Sequence, residues 1–135
     1  MPLISWHPGL SVKIDEIDQQ HKKIIFMINE LSDAMINKAG DEVMGKIIDE
    51  MIKYTDVHFK TEEDYFERFG YKETDKHKEE HLLFVNKVVE FYNAFKKSET
   101  EVTLELLKFL SYWLQDHIKV SDKKYVELFK KNGVV

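Results

Sequence analysis

Apolar positions along the chain step by three and four, the period of an amphipathic helix, and alternation by two is weak. A first stripe runs Ile14, Ile17, His21, Ile24, Ile28, Leu31 and Met35. It ends near Asn37 to Gly40, where glycine permits a left-handed closing residue. A second runs Met44, Ile47, Ile48, Met51, Thr55, His58, Glu62, Phe66 and Phe69, and stops at Gly70. Thr74 is placed to cap a third helix, with an inner face of His77, His81, Phe84, Val88, Phe91 or Tyr92, and Phe95. After a break at Ser98 to Thr100, a fourth stripe reads Leu106, Phe109, Leu110, Trp113, Leu114, His117 and Ile118. A short amphipathic tail with Tyr125, Val126, Leu128 and Phe129 follows.

Four long helices on short connections bury their stripes together by running alternately up and down. The pattern therefore predicts an all-α, up-down-up-down four-helix bundle with a short C-terminal helix. The first nineteen or so residues, holding Trp6, Pro8 and Gly9, are expected to form a non-helical N-terminal arm, with Trp6 as an apolar peg against the bundle. No repeat, low-complexity segment or linker is visible, and 135 residues suit a single domain over 1–135.

Each stripe carries histidine where titratable groups are out of place. His58 and Glu62 are four apart, as are His77 and His81, so each pair shares one helix face. His21 lies between Ile17 and Ile24, and His117 follows Trp113 by four. Asp122 is five beyond His117, a step that turns it away on a regular helix; a local break at Val120-Ser121-Asp122, with Ser121 capping a new turn, would restore convergence. Buried without partners, such groups would cost several kcal/mol in desolvation, a cost that a metal offsets.

The set His21, His58, Glu62, His77, His81, His117 and Asp122 is too large for one tetrahedral zinc. It suits two octahedral metals sharing bridging carboxylates and an oxygen from solvent. Mixed imidazole and carboxylate donors fit iron better than calcium or magnesium. One histidine on an apolar stripe is ordinarily a satisfied core residue; five of the six histidines on inward positions are not. His7, beside Pro8, is expected in solvent. Glu63 turns about 100° from Glu62 and reads as a surface carboxylate. Lys123, Lys124, Lys130 and Lys131 read as the wet face of the last helix.

Composition removes other classes. Without cysteine there is no disulfide, thiolate zinc site, iron–sulfur cluster or cysteine nucleophile. A net charge of -5 and a single arginine, Arg68, argue against nucleic acid. No glycine-rich phosphate loop or serine elbow is present. The longest apolar run, Ile24 to Ile28, is far below the ~20 residues of a membrane span. Met1 to Gly9 shows no secretory signal, so a cytoplasmic protein is expected.

The sequence resembles the hemerythrin family, specifically its bacterial single-domain members. The likeness is carried by Trp6 and Gly9, then Ile17-Asp18-Gln19-Gln20-His21-Lys22 and His58-Phe59-x-x-Glu62-Glu63. It continues through Tyr71, His77-x-x-x-His81-x-x-Phe84, and Trp113-Leu114-x-x-His117-Ile118-x-x-x-Asp122-x-x-Tyr125. Departures are Phe66, where methionine is common, and Lys72, where proline often follows the tyrosine.

The resemblance implies an oxo- or hydroxo-bridged pair of Fe ions. His77, His81 and His117 would hold one iron, His21 and His58 the other, and Glu62 and Asp122 would bridge both. It further implies reversible dioxygen binding at the two-histidine iron, behind a wall of Ile24 or Ile25, Phe59, Trp113, Leu114 and Ile118. Bundle-type di-iron enzymes use mostly carboxylates with two histidines. Five neutral imidazoles instead disfavour high-valent iron, so an oxygen carrier or store, not an enzyme, is expected, as a monomer with an unidentified oxygen-consuming recipient. The alternatives are an oxygen or redox sensor, for which no signalling domain is read here, a di-iron enzyme acting on peroxide or nitric oxide, and iron storage.

Overall fold

The computed structural model describes residues 3–135 and contains no strand among them. Four helices, α1 (Asp15–Ile36), α2 (Asp41–Phe69), α3 (Thr74–Lys96) and α4 (Leu104–Asp116), form an up-down bundle, and α5 (Val126–Lys131) closes it. Asp15, Glu16 and Asp18 in the first turn of α1 complement its positive end. The α1 terminus is closed by Lys38, not glycine: Lys38 takes the left-handed φ of 55°, whereas Gly40 has φ -68°. Gly70 does end α2 in the left-handed region, at φ 65°, and the Tyr71 N–H donates to the Phe66 carbonyl.

One cap differs from the sequence reading, and another was not foreseen. Thr74 is the first residue of α3, and its hydroxyl donates to the Tyr71 carbonyl at 2.6 Å instead of accepting from a helix N–H. Thr103, in contrast, caps α4 by accepting from the Leu106 N–H at 3.2 Å.

The arm is shorter than expected, because helix begins at Asp15, and Pro8–Leu10 forms one 3-10 turn within it. Its anchoring is polar as well as apolar. Asn29 accepts from the Ile4 N–H at 2.9 Å and donates to the Ile4 carbonyl at 2.8 Å. The Asp18 carboxylate accepts from Ser11 and from the Val12 N–H. Trp6 is half-buried against the core, while His7 is exposed.

The two ends of the bundle differ. Towards the α1–α2 and α3–α4 connections the interior is hydrocarbon: Ile28, Leu31, Ile47, Ile48, Phe95, Leu107 and Leu110. Each such aliphatic side chain contributes roughly 1.5–3 kcal/mol by leaving water. Along α4 the buried line is Leu107, Leu110, Ser111 and Leu114, with Leu106, Phe109 and Trp113 half-buried beside it. The opposite half holds the polar residues described next. Among the described residues, no helix is long and apolar enough to cross a membrane.

Candidate metal centre

All seven sequence-selected residues meet in that second half, and none is more than 3 % exposed. α1 supplies His21, α2 His58 and Glu62, α3 His77 and His81, each from the face its apolar stripe buries. The four-residue spacings on α2 and α3 place each pair one turn apart. His117 and Asp122 converge by a different device from the expected serine-capped turn. α4 widens into a π-helical turn over His117–Ser121, in which the Asp122 N–H donates to the His117 carbonyl. A hydrogen bond that spans five residues returns the fifth to the same face, so Asp122 points inward. Ser121 makes no cap; its hydroxyl donates to Glu80 at 2.6 Å.

The donor atoms fall into two sets able to hold a metal ion. One is Glu62, His77, His81, His117 and Asp122; the other is His21, His58, Glu62 and Asp122. Both carboxylates belong to both sets. Asp122 divides its oxygens between them: Oδ1 lies 3.0 Å from His77 Nε2 and 3.1 Å from His117 Nε2, and Oδ2 lies 3.0 Å from His21 Nε2. Glu62 Oε1 is 3.3 Å from His58 Nε2 and 3.2 Å from His81 Nε2.

These close approaches are not a satisfied hydrogen-bond network. Both Asp122 oxygens, Glu62 Oε1, His77 Nε2 and both His21 nitrogens lack an aligned partner. His81 Nε2 and His117 Nε2 face each other at 3.1 Å. Buried polar atoms are almost always paired, so lone pairs that converge on common points fit cation binding. The cluster fits a metal site, and its shared carboxylates are compatible with a di-iron centre.

A ring of outer partners sets the imidazoles. Gln20 Oε1 lies 2.6 Å from His58 Nδ1, Glu63 Oε2 2.9 Å from His81 Nδ1, and Glu80 Oε1 3.4 Å from His117 Nδ1. An acceptor there keeps the proton on Nδ1 and turns the Nε2 lone pair inward. Glu63 does rotate away from Glu62, yet only as far as His81. Tyr125 belongs to the site as well: its hydroxyl donates to Glu62 Oε2 at 2.5 Å. None of these roles was visible in the stripes: Gln20, Glu63 and Glu80 lie on half-buried positions between faces, and Tyr125 is buried like any core aromatic. Adjacency to a stripe histidine (Gln20 to His21, Glu80 to His81) was the available signal.

Electrostatics follow. Burial disfavours a charged His117, but Asp122, Glu62 and Glu80 outweigh it and push the imidazole up to about 9. Burial would raise Asp122, yet His117, His21 and His77 hold it well below the usual carboxylate range. For His58 burial prevails and its pKa falls. Burial pushes the Tyr125 phenol well up, helped by Asp122 and Glu62, so it keeps its proton. Aromatic faces complete the packing: Phe59 stacks on His81 with centroids 3.7 Å apart, and Trp113 on His117 at 4.5 Å. Phe66 fills the space between His77 and Tyr125, at 4.8 and 5.5 Å. The other expected wall residues, Ile24, Ile25, Leu114 and Ile118, are all buried.

A family profile described as the Hemerythrin HHE cation binding domain matches residues 12–129. The chain belongs to the hemerythrin family. Among curated hemerythrin relatives, a bacteriohemerythrin of Stenotrophomonas maltophilia is 38% identical over 96% of this chain and 84% of its own length. One from Pseudomonas aeruginosa is 39% identical over 94% of this chain and 82% of its own. A crystal structure of wild-type hemerythrin superposes with a TM-score of 0.88 at 31% identity, covering 93% of this chain and 97% of that one.

Proposed function

We propose that residues 1–135 act as one hemerythrin-like domain that holds two iron ions and binds dioxygen reversibly, as a carrier or store. In this reading His77, His81 and His117 hold one iron, His21 and His58 the other, and Glu62 and Asp122 join the two. When bound, the iron pair would supply the redox chemistry for holding a diatomic gas, on the side that has only two imidazoles.

The chain's own residues favour release over reaction. As metal ligands the five imidazoles would be neutral, so against two carboxylates the pocket has little negative charge to support high oxidation states. Ile24, Ile25, Leu114 and Ile118 would line the open side with hydrocarbon, and Phe59 and Trp113, stacked on His81 and His117, would close the neighbouring side with aromatic surface and keep water away. Tyr125, buried beside the centre, has its proton committed to Glu62 and its pKa pushed well up, so it is a poor donor for splitting an O–O bond.

The observation that carries the reading is the pair of donor sets with both carboxylates in common. Its test is optical: the reduced, iron-loaded protein is cycled between oxygen and argon. A charge-transfer spectrum that appears and fully disappears over many cycles is expected. Rapid irreversible oxidation, or steady turnover of peroxide or nitric oxide with an electron donor, would favour an enzyme.

A further inference from the structure

The outer partners of the five imidazoles are unequal. On the three-histidine side two carboxylates reach ring nitrogens, Glu63 at His81 (2.9 Å) and Glu80 at His117 (3.4 Å). On the two-histidine side the acceptor at His58 is the neutral amide of Gln20, and His21 Nδ1 has no aligned partner. The rings are also packed differently. His81 lies flat under Phe59 and His117 flat under Trp113, at interplanar angles of 6° and 13°. Among the described residues no aromatic ring lies flat on His21 or His58: they meet edge-on at 69°, as His77 meets His81 and His117, and Phe59 is tilted 48° to His58.

A carboxylate at Nδ1 pulls on the ring proton and makes Nε2 a stronger electron donor, more than an amide does. The negative face of an aromatic ring likewise favours positive charge that a bound cation draws onto an imidazole lying flat against it. Both influences act on the same side. We infer that Glu63 and Glu80 are positioning residues that make the three-histidine position the more electron-rich of the two, the first to be oxidised and the last to be reduced. The inference rests on the two-iron reading above. With both metals bound, an external one-electron oxidant would then act first on the three-histidine position and leave the two-histidine position reduced.

The two carboxylates do not weigh equally. Ser121 donates at 2.6 Å to the same Glu80 oxygen that faces His117, which diverts part of that oxygen's pull. Glu63 has no such competitor at its bond to His81, and its bond is shorter, so it is the stronger of the two.

The experiment is spectroelectrochemical titration of the iron-loaded protein, with iron counted first. Fewer than two irons per chain in the unaltered protein would sink the two-iron reading, and the inference with it. With two present, Glu63→Gln keeps an acceptor in place and removes only its charge, and should move the more negative potential upward. Glu80→Gln should move it the same way by less. Glu79→Gln, an exposed change of the same charge on α3, is the control and should move it least. Gln20→Glu should instead lower the more positive potential. A Glu63→Gln shift no larger than that of Glu79→Gln would overturn the inference. If Glu63→Gln fails to retain iron, Gln20→Glu decides: a lowered upper potential supports the asymmetry, and an unmoved one refutes it.

Discussion

The two halves of the bundle are built from the same four helices but by opposite rules. In the dry half, Leu31, Ile48, Leu107 and Leu110 are fully buried within the hydrophobic core, so burial there is stabilising by itself. In the other half seven buried polar residues leave six nitrogen and oxygen atoms without aligned partners. That half is a site of stored cost, offset only when cations take up the converging lone pairs. The lesson is a division of labour: one end makes the helices a bundle, and the other uses that rigidity to hold ligands in an arrangement unfavourable without metal.

The comparison can be broken most severely at Asp122, the residue common to both donor sets. Asp122→Ala should lose most of the iron, measured by elemental analysis, while far-UV circular dichroism still reports a helical protein. A smaller effect is expected in the dry half. Leu107→Ala should cost about 2–5 kcal/mol in urea unfolding. That loss should be the same with and without metal and should leave the iron content unchanged, since the halves are far enough apart to add. The smallest expected change is Tyr125→Phe, which strips one donor from Glu62: roughly 1–3 kcal/mol, with iron retained but released faster to a chelator. If Leu107→Ala emptied the site, or Asp122→Ala kept its iron, the two halves would not be separable in this way.

Much of this was legible from residue order, for physical reasons. Helix period exposes any titratable residue on an apolar face, so His21, His58, Glu62, His77 and His81 stood out without coordinates. Asp122 was harder. Its five-residue step breaks the period, and although a local break at Val120-Ser121-Asp122 was expected to turn it inward, the π-turn that does so leaves no signature in residue type. Gln20, Glu63 and Glu80 stayed hidden because their side chains act sideways, from the margins of the faces they occupy. Tyr125 read as packing because its ring is indeed buried, and a phenol's hydrogen bond depends on what stands opposite. Left-handed closure by Lys38, where a glycine was available at Gly40, shows that such backbone roles follow turn geometry as well as residue type.

The account depends on two cations sharing two carboxylates, and this is most directly tested by anomalous diffraction at the iron edge on crystals loaded with ferrous iron under argon. Two separate peaks are predicted, each in contact with both Glu62 and Asp122, one also with His77, His81 and His117 and the other with His21 and His58. A single peak, or two peaks that do not share those carboxylates, would contradict it.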